Sequence, residues 1–167
     1  ADNGLSPYFT YAESFEVLPG IDPNTKNSYK PLEGKLYETG IKYAPSFLDG
    51  YINLALFDLE QTNSLVSTGS GQQTQAGEVT SQGIELEGSV QATEALRLTA
   101  AYTYTDAKTN DTGNGDRQAS LIPRHQASFW GNYKVQQGPV SGLEVGTGVR
   151  YIGSSVGIGA VDANYNP

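Results

Sequence analysis

The sequence predicts an all-β fold, an antiparallel meander of about seven strands that forms part of a transmembrane β-barrel. The first observation is residues 96–105, where Leu96, Leu98, Ala100, Tyr102 and Tyr104 alternate with Arg97, Thr99, Ala101, Thr103 and Thr105. The second is that similar alternation recurs in most of the other predicted strands. The third is that the connections alternate between short and long. One apolar and one polar face on each strand suit a wall between lipid and a polar lumen.

The composition narrows the class of protein. No run of eighteen apolar residues is present, so no transmembrane helix is predicted. The absence of Cys excludes disulfides and thiolate chemistry, and the net charge of −8 argues against a nucleic-acid partner. The chain lacks Met and begins at Ala1, and an odd number of strands cannot close a bacterial barrel. We therefore expect an internal fragment of a larger protein.

The predicted strands lie at residues 6–15, 35–43, 51–60, 81–91, 95–105, 125–134 and 143–152. The short connections are residues 44–50, 92–94 and 135–142. The long connections, rich in Gly, Asn, Thr, Ser and Asp, are residues 16–34, 61–80 and 106–124. Bacterial barrels have short periplasmic turns and long extracellular loops, so the alternation of lengths predicts this topology.

In the first three predicted strands, the alternation of apolar and polar residues is clear in the second and weaker in the first and third. In the first, we assign Phe9 and Tyr11 to the outward, lipid-facing side. In the second, the outward residues are Tyr37, Thr39, Ile41 and Tyr43, and the inward ones are Glu38, Gly40 and Lys42. The third is apolar on both sides, and Asn53 identifies the lumen side, which leaves Ile52, Leu54 and Leu56 outward.

Apolar and polar residues alternate more clearly in the later strands. In the fourth strand, the outward residues are Ile84, Leu86, Gly88 and Val90, and the inward ones are Glu85, Glu87 and Ser89. In the sixth, the outward residues are Ala127, Phe129, Gly131 and Tyr133, and the inward ones are Ser128, Trp130, Asn132 and Lys134. In the seventh, the outward residues are Leu143, Val145, Thr147, Val149 and Tyr151, and the inward ones are Glu144, Gly146, Gly148 and Arg150. In a soluble sandwich the charged faces would meet water and the apolar faces a core. Aromatic residues near the strand ends favour the membrane, where they form interfacial girdles.

The alternation also predicts specific neighbours on the inward face. If residues 92–94 form a three-residue turn, Ser89 lies opposite Arg97, and Glu87 lies diagonal to Arg97 within reach of an ion pair. Lys134 is expected near Glu144. Trp130 is expected to cover Gly148.

No catalytic, cofactor-binding or metal-binding residue is predicted. His125 is the only His and has no Cys to complete a metal site, so we interpret it as a residue of the extracellular rim. Residues 110–116 have oxygen ligands but lack the spacing and closing Glu of a calcium loop, and are interpreted as a turn. Glu85 and Glu87 are interpreted as lining the lumen rather than as a catalytic pair. We predict no enzyme activity and no cofactor.

Motifs in seven successive segments carry a family resemblance. Tyr8-Phe9-Thr10-Tyr11-Ala12-Glu13-Ser14-Phe15 and Lys35-Leu36-Tyr37-Glu38-Thr39-Gly40-Ile41-Lys42-Tyr43 resemble adjacent strands of TonB-dependent siderophore receptors. Five further segments continue the resemblance in the same order: Ala55-Leu56-Phe57-Asp58 followed by Gln61-Thr62-Asn63, Gly83-Ile84-Glu85-Leu86-Glu87, Tyr102-Thr103-Tyr104-Thr105-Asp106-Ala107, Pro123-Arg124-His125-Gln126-Ala127-Ser128 and Gly146-Thr147-Gly148-Val149-Arg150-Tyr151-Ile152-Gly153-Ser154-Ser155. Each motif is weak alone, but seven in order are specific.

The resemblance implies a barrel of about 22 strands with a plugged lumen, of which residues 1–167 are a partial barrel domain from the C-terminal half. The plug domain and TonB box would be absent from this chain. It further implies a receptor in the bacterial outer membrane. Its partners would be a ferric siderophore, outer-membrane lipid and, through the missing N-terminal part, the TonB complex. No ligand-binding residue can be carried over, because the family's ligand contacts lie mainly outside this window.

Two functions therefore follow from the sequence. The first is TonB-energised uptake of a ferric siderophore, of hydroxamate type, across the outer membrane. The second is a soluble or surface-exposed β-rich binding module, such as an adhesin. Detergent dependence would separate them. The sequence does not identify the individual siderophore or the oligomeric state.

Overall fold

The computed structural model describes residues 3–67, 73–111 and 115–156, and these form one antiparallel sheet. Its eight strands are β1 (Leu5–Glu16), β2 (Leu32–Tyr43), β3 (Gly50–Ser67), β4 (Gln73–Gln91), β5 (Leu96–Asp111), β6 (Gly115–Gln118), β7 (His125–Lys134) and β8 (Glu144–Ile152). No helix that could cross a membrane occurs among the described residues.

The strand order confirms the predicted meander. Neighbours in the sheet follow the order β1-β2-β3-β4-β5-β7-β8, and β6 pairs with the distal part of β5. Every one of these pairings is antiparallel. The connections 44–49, 92–95 and 135–143 therefore lie at one end of the sheet, called here the short-turn end. The β1–β2 connection and the closed end of the β3–β4 hairpin lie at the opposite end, called here the long-loop end.

The β3–β4 hairpin is longer than the sequence predicted. β3 continues to Ser67 and β4 begins at Gln73, so most of the predicted long connection 61–80 is paired strand. The register shifts after Gln61, near Asn63, whose positive φ of 63° marks a bulge. Alternation could not reveal this extension, because residues 62–67 and 73–80 are mostly polar and do not alternate.

The connection predicted at residues 106–124 is also partly strand. β5 runs to Asp111, and β6 returns along it. Ala119 N–H donates to the Ala107 carbonyl and Thr105 N–H donates to the Arg124 carbonyl, both at about 2.8–2.9 Å. The four residues 120–123 between these bonds bulge out of the ladder, and Pro123, which lacks an N–H, ends the bulge.

The β4–β5 turn corrects the predicted register. Ala92 N–H donates to the Leu96 carbonyl at 2.8 Å, so the three-residue turn is 93–95 rather than 92–94. The Thr93 hydroxyl accepts hydrogen bonds from the N–H groups of Ala95 and Leu96, at 3.2 and 3.0 Å, and stabilises this turn. As a result Ser89 pairs with Thr99, and Arg97 pairs with Gln91.

The sheet has almost no core of its own. Among the described residues, the buried apolar side chains are those of Ala55, Ala107 and Ala119, and Asp22 is a buried polar residue. Both faces of the single layer are therefore open. The stabilisation that apolar burial gives a globular domain must come from whatever covers those faces.

Candidate functional site

One face of the sheet, called here the apolar face, collects the side chains that were predicted to point outward. Direct cross-strand pairing joins Ile41 to Leu54, Leu54 to Leu86 and Leu86 to Tyr102. The same face continues through Ala127 to Tyr151 on β8. Within the strands, the residues assigned outward therefore share one face, and on β1 Phe9 pairs with Thr39 and Tyr11 with Tyr37 of that face.

Large side chains on the apolar face are exposed to an unusual degree. Leu86, Phe129 and Val149 have 44%, 47% and 67% of their surface accessible. A contiguous apolar surface of this extent is a site of contact with lipid or with another protein. Polar residues begin near the long-loop end, where the Gln82 amide donates to Asp58 at 3.1 Å and Asp106 lies opposite Gln82.

An aromatic cluster borders the apolar face near its long-loop end. Tyr104 pairs with His125, and their ring centroids are 5.1 Å apart. The Tyr102 hydroxyl and His125 Nδ1 are 2.9 Å apart and share a hydrogen bond. His125 therefore lies at the rim, and no group of three or more potential metal-ligating side chains occurs in the described part of the chain.

The opposite face, called here the polar face, carries the charged residues predicted to point inward. Lys42 Nζ lies 5.2 Å from the centroid of the Tyr8 ring, and Lys42 pairs with Asn53. Glu87 follows Asn53 in the same cross-strand row. Asn53 Oδ1 is buried and accepts no hydrogen bond from the described residues, so this row has an acceptor available to a group outside the sheet.

The predicted contact between Glu87 and Arg97 is wrong. Both side chains are on the polar face, but Glu87 pairs with Ala101, four residues along β5 from Arg97. Arg97 Nε instead donates to Gln91 Oε1 at 2.9 Å, and its Nη2 lies 3.9 Å from Asp49 Oδ2. The two-residue shift of register at the turn causes this difference.

Two other predicted neighbours on the polar face are confirmed. Lys134 pairs with Glu144, and Nζ lies 3.7 Å from Oε1. Trp130 pairs with Gly148, and its indole also covers Gly146, where an added Cβ would approach Cζ2 to 2.7 Å. The glycines of β8 therefore provide the space that the indole occupies.

At the long-loop end, two connections are joined by a side-chain amide. Gln75 Oε1 accepts from Lys30 N–H at 2.7 Å, and Gln75 Nε2 donates to the Lys30 carbonyl at 2.5 Å. Asn63 Nδ2 donates to the Pro31 carbonyl at 2.9 Å beside it. Gln75 thus pairs with Lys30 as a neighbouring strand would, and holds the β1–β2 connection against the β3–β4 hairpin.

The β1–β2 connection also has internal order. The buried Asp22 accepts hydrogen bonds from the N–H groups of Asn24 and Thr25 through Oδ1, at 2.7 and 3.3 Å. Ile21 and Ser28 form an isolated antiparallel bridge around this turn. The sequence reasoning missed this element, although an Asp followed by Pro-Asn is a recognisable turn signal.

The rim between β5, β6 and β7 carries a second polar cluster. Arg124 Nε and Nη2 donate to Gln118 Oε1 at 2.9 and 2.6 Å, and Nη2 lies 3.8 Å from Asp106 Oδ1. Lys108 Nζ is 3.2 Å from Asp106 Oδ2. The interpreted turn at residues 110–116 lies partly outside the described residues.

Comparison with known proteins identifies relatives along the whole chain. The family model described as TonB dependent receptor-like, beta-barrel, matches residues 1–167. A ferrichrome outer membrane transporter/phage receptor of Escherichia coli K12 is 38% identical over 159 residues, which cover 93% of this chain and 21% of that protein. A ferrioxamine B receptor of Salmonella typhimurium is 36% identical over 154 residues, 90% of this chain and 22% of that protein.

Solved structures agree on the fold. The pyoverdine outer membrane receptor FpvA from Pseudomonas aeruginosa PAO1 matches 93% of this chain with a TM-score of 0.76 and 23% identity. The ferric-catecholate import receptor Fiu from Escherichia coli K12 matches 93% with a TM-score of 0.69 and 24% identity. In each case the match covers 23% of the solved chain. The chain therefore spans between a fifth and a quarter of the length of these relatives.

Proposed function

The chain belongs to the TonB-dependent receptor β-barrel family of bacterial outer-membrane proteins, and from that premise we propose that its parent protein imports ferric siderophores of the hydroxamate type. The family match over residues 1–167 carries this proposal. The choice of hydroxamate rests on the ferrichrome and ferrioxamine relatives, since both names denote hydroxamate siderophores.

The two faces of the sheet support a role in a barrel wall. The apolar face suits contact with lipid, and the polar face suits a lumen, because charges such as Glu87 and Lys134 would be costly in hydrocarbon. The long-loop end would then face the outside of the cell. The short turns would face the periplasm.

The remaining parts of the parent protein belong to the proposal. A plug domain would occupy the lumen, and a TonB box N-terminal to it would couple transport to the TonB complex. The polar face, with its available acceptor at Asn53 Oδ1, would meet such a plug. The barrel segment would provide the wall and the extracellular rim.

We propose transport without chemical change of the siderophore. The family comprises receptors and transporters.

Uptake of iron-labelled siderophore tests the proposal. A strain that lacks other siderophore receptors would be complemented with the intact parent gene, and uptake of ferrichrome and of ferrioxamine B would be measured with and without functional TonB. We expect TonB-dependent uptake of at least one of them. Equal uptake with and without the parent gene would refute the function. Recovery of the parent in the soluble fraction without detergent would instead support the adhesin-like alternative.

A further inference from the structure

A cation on the polar face has no partner among the described residues. Arg150 pairs with Ser128, Ser128 pairs with Ala101, and Ala101 pairs with Glu87, so these four residues form one row across β8, β7, β5 and β4. Strands in a sheet are about 4.8 Å apart, which places the Arg150 and Glu87 backbones about 14 Å from each other. The two side chains between them are small and uncharged, so Glu87 is too far away to pair with Arg150.

Other cations on this face are engaged. Arg97 binds Gln91 and Asp49, Lys134 pairs with Glu144, and Lys42 lies over the Tyr8 ring. The side chain of Arg150 makes no ion pair or hydrogen bond with any part of the chain that the structure describes. An ionisable side chain at membrane depth that faces a lumen commonly marks a ligand pathway or a functional contact.

Beside Arg150 is an open cavity of about 340 Å³ on the polar face. It is lined by the hydroxyls of Thr103 and Ser128 and by the amide of Gln126. The small side chain of Ala101 leaves room for it. None of these three polar side chains has a hydrogen-bond partner among the described residues. The cavity therefore combines one guanidinium with three neutral groups that are free to donate.

The position along β8 indicates the side from which the cavity is reached. Arg150 is two residues, about 7 Å, from Ile152 at the long-loop end of the strand. It is six residues, about 20 Å, from Glu144 at the short-turn end. In the proposed topology, the cavity lies in the outer third of the lumen wall, where a substrate enters.

We propose that Arg150, with Thr103, Gln126 and Ser128, forms a subsite on the barrel wall for an organic ligand that presents paired oxygen acceptors, such as a hydroxamate or carboxylate group. The guanidinium presents two parallel N–H donors in a plane, which matches two oxygens on one group. The hydroxyls and the amide complete a set of neutral donors around it. This inference rests on the proposed function, because it takes the siderophore as the ligand.

Binding to the purified intact receptor tests the subsite. Affinity for ferrichrome and for ferrioxamine B would be measured by fluorescence titration for the wild type, Arg150→Gln, Arg150→Lys and Arg97→Gln. Arg97→Gln is the matched control, because it removes a polar-face arginine near the short-turn end. Arg150→Gln is expected to weaken binding about tenfold, the effect of losing a charged hydrogen-bonding pair. Arg150→Lys is expected to weaken it less, because it keeps the charge and loses the fork.

Each outcome separates the subsite from the overall function. If the wild type binds a siderophore and Arg150→Gln binds it with the same affinity, the subsite is overturned and the proposed function stands. Absence of binding and uptake for both siderophores in the wild type would overturn both. If Arg150→Gln lowers the unfolding temperature of the ligand-free receptor but leaves the affinity unchanged, Arg150 pairs with a carboxylate elsewhere in the receptor. This result would also overturn the subsite. Weaker binding in Arg150→Gln but not in Arg97→Gln, with unfolding temperatures unchanged, would support it.

Discussion

Ala100 and Ala101 offer a matched test of which face meets lipid. They are adjacent on β5, but Ala100 lies on the apolar face between Gly88 and Phe129, and Ala101 lies on the polar face between Glu87 and Ser128. Replacing each in turn with arginine in the intact receptor introduces the same charge and the same volume. Only the direction of the side chain differs.

The size of the expected effect follows from the position of Ala100. It is the middle one of the five alternating apolar-face residues from Leu96 to Tyr104, which span about 27 Å along the strand. With a strand tilt of about 40°, this length corresponds to about 20 Å of height and fits an apolar band of about 25 Å. Ala100 thus lies near the bilayer midplane, where arginine costs about 2–4 kcal/mol. Arginine at 101 faces Glu87 in a polar lumen, where a pair contributes at most about 1 kcal/mol.

The assay is denaturant-dependent folding of the intact receptor into phospholipid vesicles, with the amount of folded receptor in the outer membrane as a second measurement. Ala100→Arg is expected to shift the folding equilibrium by a factor of about 30 to 700, and Ala101→Arg by less than tenfold. Equal losses in the two variants, or a larger loss for Ala101→Arg, would refute the assignment of the faces.

Three further predictions concern contacts and exposed surfaces. Gln75→Ala removes both side-chain hydrogen bonds to Lys30, so amide exchange at Lys30 should accelerate about tenfold without a change in global stability. Unchanged exchange would show that Gln75 does not hold the β1–β2 connection against the β3–β4 hairpin. Gly148→Ala should cost about 1–3 kcal/mol of unfolding free energy and alter Trp130 fluorescence, because a Cβ would collide with the indole and with the Phe129 carbonyl oxygen. Gly131→Ala, whose Cβ meets its nearest atom at 3.5 Å, should be tolerated, and equal losses would argue against the packing of Trp130. The 167-residue polypeptide expressed alone should associate in detergent-free buffer because its apolar face is exposed, and a monodisperse monomer in light scattering would argue against lipid contact.

The side chains that share a face can be identified from the amino-acid order alone. In a strand, successive side chains point to opposite sides, so the direction of Leu86 relative to Glu87 is a local property that alternation records. The meander was also predictable, because the connections at residues 44–50 and 135–142 are too short for anything except neighbouring antiparallel strands.

Alternation failed to predict the parts of the strands that extend beyond the apolar face. Beyond the apolar band, β3 continues past Glu60 to Ser67, and β5 continues past Thr105 to Asp111. The residues in these extensions are mostly polar and do not alternate, so the sequence indicates loops there, although the strands remain paired. The contact of Gln75 with Lys30 was equally hidden, since 45 residues separate the two and no periodic signal connects them.

The register at the β4–β5 turn could not be predicted from the hydrophobic pattern. Pairing Arg97 with Ser89 or with Gln91 differs by two residues, and a shift of two returns every side chain to the same face. The hydrophobic pattern cannot distinguish these two registers, because both satisfy it. The hydrogen bonds from the N–H groups of Ala95 and Leu96 to the Thr93 hydroxyl select one of them, and with it the partners of Arg97 and Glu87.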